Sequence, residues 1–130
     1  MSVLAAKRMV LVVEDDRDVR EAIAEVLADS DYVALPASNG AEALERLRAA
    51  TQRPCVILLD IMMPMMDGWQ FRVEQQRDAS IKDIPVVVLS AGVDAGETAK
   101  KMEAVGYLRK PVALEQLLGV VKQFCGSENE

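Results

Sequence analysis

Cys55-Val56-Ile57-Leu58-Leu59-Asp60 is an apolar run with no polar break, ending on a carboxylate. A strand with one face in water alternates apolar and polar residues, whereas an unbroken run suits a strand covered on both faces. Working outward, Met9 to Val13 and Pro85 to Leu89 are runs of the same kind, and Tyr32 to Pro36 and Tyr107 to Arg109 are weaker strand candidates. Helical spacing lies between them. Val19, Ile23, Val26 and Leu27 predict an amphipathic helix from Arg17 to Ala28. Asn39, with Glu42 three residues on, resembles a capping box ahead of a helix carrying Leu44 and Leu47. Thr98, Ala99 and Met102 predict a short helix, and Leu114, Leu117, Leu118, Val121 and Phe124 a terminal one.

The segment from Gly68 to Arg77 is the least regular, because Trp69, Phe71 and Val73 alternate. It is read as helix because parallel neighbours need a crossover between them. Five β-α pairs in alternation give an α/β protein, a parallel sheet with helices on both faces. Ligands of such sheets bind beyond the carboxyl ends of the strands, where the strand order reverses. The chemistry should therefore sit where the first, third, fourth and fifth strands end.

Those ends are Glu14-Asp15-Asp16, Asp60, Ser90 and Lys110-Pro111. Converging carboxylates repel and need a counterion, and a hard divalent cation such as Mg²⁺ suits oxygen donors. Lys110 adds a mobile positive charge. A carboxylate nucleophile, a metal and a cation together fit phosphoryl transfer. Histidine is absent, so the commonest general base and metal ligand are missing.

Composition narrows the setting. The chain has 130 residues, 51% hydrophobic and 28% charged, which suits one globular domain able to bury a core unaided. A net charge of −6 disfavours nucleic acid or an anionic membrane as a direct partner. Lys7 to Val13 has a basic start and an apolar run, but the run meets Glu14 too soon for a secretory leader. No segment approaches the ~20 apolar residues of a membrane span, and the cytoplasm is the expected location. Cys55 and Cys125 form no CxxC pair; Cys55 reads as a small core residue, and nothing points to an oxidising compartment.

The segments VLVVEDD (10–16), ILLDIMMPMMDG (57–68), PVVVLSAG (85–92) and YLRKP (107–111) stand in one order across nearly the whole chain. In this they resemble the receiver domain of two-component response regulators, of the stand-alone, chemotaxis type. The resemblance implies the flavodoxin-like strand order 2-1-3-4-5, with residues 9–125 as the domain, 1–8 as an extension and 126–130 as a polar tail. It implies that Asp60 accepts the phosphoryl group. Asp15 would bind Mg²⁺ directly and Glu14 through water, with the backbone carbonyl of Met62 completing the site. Ser90 and Lys110 would contact the phosphoryl oxygens, with a cis bond before Pro111, and Tyr107 would be an aromatic switch. Tyr107 could equally just cover the core edge. Asp16 reads as the first helix's N-cap.

The implied partners are a sensor histidine kinase or phosphotransfer protein upstream and a protein target on the helix 4/strand 5/helix 5 face. The Met1-Ser2 start and polar end suggest a whole single-domain protein, and the acidic charge and lack of a long apolar run suggest no direct nucleic-acid contact and no membrane insertion. The chain would turn over only its own phosphate. The alternative is a receiver-like interaction module that is not phosphorylated. A phosphatase using an aspartate nucleophile is disfavoured, because the second Asp expected two residues on is Met62.

Some positions depart from the family pattern. Only 20 positions separate Ser90 from Lys110, which predicts a short or irregular fourth helix. Arg72 and Gln75 stand where apolar residues are common in the third. Met62 and Gly92 occupy positions that in this family influence water attack on the acyl phosphate, and neither carries a carboxylate or amide. Slow self-dephosphorylation is expected. Met63 and Met66 are read as packing the loop, Pro64 as shaping it, and Asp67-Gly68 as starting the next helix, rather than a soft-metal site built on Met62, Met63, Met65 and Met66.

Overall fold

A computed structural model of the chain describes residues 7–63 and 66–126. Ten elements alternate: β1 (Met9–Val13), α1 (Arg17–Asp29), β2 (Val33–Ala37), α2 (Gly40–Ala49), β3 (Val56–Asp60), α3 (Gly68–Arg77), β4 (Val86–Ser90), α4 (Ala95–Lys101), β5 (Gly106–Arg109) and α5 (Leu114–Cys125). The strands form one parallel sheet ordered β2-β1-β3-β4-β5. The chain thus steps to one side of β1 and then to the other, which places the reversal between β1 and β3.

Period-two alternation divides the central strands between two cores. Leu11, Val13, Ile57, Leu59, Val86 and Val88 face one side, against Leu44 and Leu47 of α2, Phe71 of α3 and Ala99 of α4. Val10, Val12, Val56, Leu58, Val87 and Leu89 face the other, against Ile23 and Leu27 of α1 and Leu117 and Val121 of α5. Residues of β3 and β4 are buried throughout, as their unbroken apolar runs require. Each large side chain so buried contributes roughly 1.5–3 kcal/mol.

Helix starts follow their caps. Asp16 accepts from the backbone N–H of Asp18 and Val19. Asn39 accepts from Glu42 N–H, while the Glu42 carboxylate turns to the backbone N–H of Ser38 at 2.6 Å. Asp67 and Gln70 form a reciprocal capping box, which fixes α3 despite its irregular apolar pattern. The fourth helix is short, at seven residues. Tyr32 falls just outside β2, where its ring is buried and its hydroxyl donates to the Gly126 carbonyl. Pro64 and Met65, and the stretches 1–6 and 127–130, lie outside the described residues.

One expectation needs correction. Cys55 is not an unpaired core thiol: it is joined to Cys125 by a disulfide, with their Cα atoms 5.4 Å apart. Spacing concealed the pairing. The two residues are 70 positions apart, and the parallel fold carries the end of α5 back to the start of β3.

Candidate functional site

Four loops meet at the reversal point beyond the strand ends. The Glu14 N–H donates to the Ala37 carbonyl, which extends the β1–β2 pairing by one residue and turns the Glu14 carboxylate inward until it is fully buried. Asp16 N–H donates to Glu14 Oε2 at 3.0 Å. Glu14 Oε1 is paired with the Lys110 ammonium at 2.7 Å.

Asp60 ends β3 and is buried. Its Oδ1 accepts from Met62 N–H at 3.1 Å and its Oδ2 from Lys110 Nζ at 3.1 Å. Burial pushes the Asp60 carboxyl up to about 6; the Glu14 charge adds to this, and the Met62 N–H and Lys110 oppose it. Burial alone would lower Lys110, but the flanking Glu14 and Asp60 carboxylates outweigh that and hold it above the ordinary lysine range.

Ser90 ends β4, and its Oγ accepts from Gly92 N–H at 3.1 Å. The Lys110 N–H donates to the Ser90 carbonyl, and the Lys110-Pro111 bond is cis, as the resemblance implied. Gly68 lets α3 begin directly beneath Asp60. A Cβ there would stand 2.7 Å from Ile61 Cα and 3.0 Å from the Asp60 carbonyl oxygen, so a side chain would force the helix away.

The carboxylates of Glu14, Asp15 and Asp60 each offer an oxygen within 4.8 Å of the others. This donor set fits a hard divalent cation, because it is built of carboxylate oxygens and a single lysine must serve two buried carboxylates. Of the four strand ends that the sequence singled out, those of β1, β3 and β5 meet through Glu14, Asp15, Asp60 and Lys110, whereas the Ser90 hydroxyl at the end of β4 pairs with Gly92 N–H. Tyr107 is not among them: its ring points outward, 44% exposed, with Cε1 3.3 Å from where a Cβ on Gly96 would lie. The Met62 side chain is exposed, whereas Met63 is buried and Met66 packs against the core.

Arg20 has no counterpart in the sequence reading. Its guanidinium donates to the Glu14 carbonyl at 2.8 Å and braces the acidic loop from α1. A basic residue one turn into a helix is too common a feature to single out unaided.

The model of the response regulator receiver domain matches residues 10–122. The chain belongs to the response regulator receiver family. Response regulator MprA of Mycobacterium ulcerans (strain Agy99) is 40% identical over 111 residues, covering 84% of this chain and 46% of that protein. The receiver therefore spans about half the length of the curated relatives it matches. Among solved structures, the Vibrio cholerae chemotaxis protein CheY4 superposes with a TM-score of 0.82 at 30% identity, covering 92% of this chain and 99% of that one. The phosphorylated cyanobacterial phytochrome response regulator RcpA superposes with a TM-score of 0.75 at 33% identity, covering 91% of each chain. As a receiver, the chain works in two-component phosphorelay signalling.

Proposed function

We propose that Asp60 is the phosphoryl acceptor of this receiver, taking the group from the phosphohistidine of a sensor kinase or phosphotransfer protein. The observation that carries this reading is the Lys110 bridge between Glu14 and Asp60, at 2.7 and 3.1 Å. It leaves a buried carboxylate at the strand-order reversal with a cation beside it.

An Asp60 oxygen attacks phosphorus as the P–N bond to the donor imidazole breaks, leaving an acyl phosphate. Lys110, which pairs with Asp60, and the Ser90 hydroxyl at the end of the neighbouring strand would bind the incoming equatorial oxygens. Glu14, Asp15, Asp60 and the Met62 backbone carbonyl would hold Mg²⁺, which when bound neutralises charge on the phosphoryl group. The only turnover is the receiver's own phosphorylation and dephosphorylation.

A groove lined by Val19, Ala22, Ile23, Pro111 and Leu114 opens beside Lys110 and offers an apolar landing for the donor. Output runs through the face of α4, β5 and α5, where Val105 and Tyr107 are exposed, toward a protein target. The domain is residues 9–125 and its setting is the cytoplasm. No helix among the described residues is long and apolar enough to cross a membrane, and the charge of −6 suits a protein partner better than nucleic acid.

The test is incubation with a small phosphodonor and Mg²⁺, read by intact mass. A labile phosphate adduct on the wild type and none on Asp60→Asn is expected. Absence of adduct on the wild type, or equal adduct on both, overturns the reading.

A further inference from the structure

The Cys55–Cys125 bridge lies at the amino end of the central strand β3, opposite the end that carries Asp60. Five residue steps take the chain from Cys55 to Asp60, on the order of 16 Å at the usual strand rise. The bridge joins the residue before β3 to the last residue of α5, a helix of the face assigned to output.

The fold does not depend on this crosslink for its core. Both faces of the sheet carry continuous buried clusters, and a chain of this size folds without a staple. Both redox forms also have a suitable environment. Cys55 Sγ lies 3.2 Å from the Met9 carbonyl oxygen, so a thiol proton there has an acceptor. Cys125 is 1% exposed within the Leu117–Val121 cluster, where a thiol packs as a small hydrophobe. Cys55 is only half-buried and is the sulfur that a small reagent would reach first. In a reducing cytoplasm, a pair that can close and open is typically regulatory.

We propose that Cys55 and Cys125 form a reversible thiol–disulfide site, exchanging with dithiols and low-molecular-weight disulfides, that clamps the end of α5 to the base of β3. Closure begins when the Cys55 thiolate attacks a small disulfide RSSR, forming a mixed disulfide and releasing RS⁻. The Cys125 thiolate then displaces the second RS⁻. The protein loses two electrons, RSSR gains them, and the two thiol protons pass to the two thiolates released. When closed, the site pins the last turn of α5 by a covalent bond; when open, that turn is held by packing and by the Tyr32–Gly126 hydrogen bond. The consequence for output rests on the proposed role of the α4, β5 and α5 face, whereas the exchange itself does not.

The full chain is equilibrated in glutathione buffers from reducing to oxidising, approached from both directions, then trapped with N-ethylmaleimide in denaturant and weighed intact. The expected result is two alkylations at the reducing end, none at the oxidising end, and one curve from both directions with the folded signal retained. Cys55→Ser should show one alkylation at the reducing end and no internal bridge at any ratio. Amide exchange in the last turn of α5 should be at least about tenfold slower in the closed form.

A bridge that opens only on unfolding, two alkylations at every ratio, or a stable glutathione adduct as end product overturns the site. Equal exchange of α5 in both forms overturns the clamp. Asp60→Asn should give the wild-type curve, so failure of the phosphoryl-acceptor reading would leave this result untouched.

Discussion

Lys110 Nζ lies 2.7 Å from Glu14 Oε1, and the Glu14 carboxylate has no exposure to solvent. Removing one partner of such a pair leaves a buried charge without compensation, which costs more than the pair itself contributes. Lys110→Met is expected to destabilise the domain by about 3 kcal/mol at pH 7, because Lys110 is 25% exposed and water screens part of the effect. Urea denaturation measures this. Adding Glu14→Gln should recover most of the loss, and a double mutant no more stable than Lys110→Met would show that the charge is not its source.

Asp60 gives the opposite sign. Its pKa rises from 3.8 to about 6 on folding, chiefly through burial, so the folded state holds its proton more tightly than the unfolded state. Below pH ~4 both states are protonated and nothing is lost. Between pH ~4 and ~6 the unfolded chain ionises first, so stability falls as pH rises, and above pH ~6 the loss is constant. Asp60→Asn should therefore be more stable than the wild type by about 2–3 kcal/mol at pH 7, with the difference vanishing near pH 4. Parallel stability curves across that range would sink this account.

The same site should respond to Mg²⁺. An ion that binds the folded acidic cluster and not the unfolded chain raises the apparent stability with concentration. Thermal scans of the wild type are expected to shift upward by a few degrees in millimolar Mg²⁺, and those of Asp60→Asn by clearly less. The removed carboxylate is one of the three donors within 4.8 Å of one another. An equal shift in both would place the ion elsewhere.

What the sequence revealed and what it hid have separate physical causes. Strands β1, β3 and β4 were legible because burial on both faces demands unbroken apolar runs, and their carboxyl ends marked Glu14, just past β1, and Asp60 and Ser90, the last residues of β3 and β4, for the site. The alternation of Trp69, Phe71 and Val73 misstated α3, where only Phe71 and Gln75 of the long side chains are buried and the capping box sets the start. The disulfide was illegible because it joins residues 70 positions apart through the tertiary fold, and the Arg20 brace because a basic residue in the first turn of a helix carries no distinguishing pattern.

Arg72 and Gln75, which look misplaced on α3, form a polar strut. Gln75 is fully buried, and its Nε2 donates to the carbonyls of Ile81 and Ile84. Its Oε1 accepts from Arg72, whose other nitrogens reach the Met102 and Glu103 carbonyls at the end of α4. Gln75→Leu should cost about 2–4 kcal/mol, since it strands two buried carbonyls and part of the Arg72 fork. Arg72→Ala should cost about 1–2 kcal/mol and speed amide exchange in α4 before that in β4. Unchanged exchange in α4 would mean that the strut does not hold that helix.

The lifetime of an acyl phosphate on Asp60 is expected to depend on Met62 and Gly92. Met62 is 78% exposed beside Asp60 and carries no group able to orient a water. Gly92 has no side chain, and a Cβ there would sit 3.0 Å from Asp94 Oδ1 and 3.4 Å from Ser90 Oγ, so a bulky polar replacement would displace Asp94. Met62 is therefore the better position to alter. Met62→Gln, with its amide reaching toward the Asp60 phosphate, is expected to shorten the half-life of labelled phosphoprotein by about tenfold, modest against what positioning a reactant can contribute. The wild type should lose phosphate slowly without a partner. Rapid intrinsic loss from the wild type, or a half-life unmoved by Met62→Gln, would show that hydrolysis is governed by other groups.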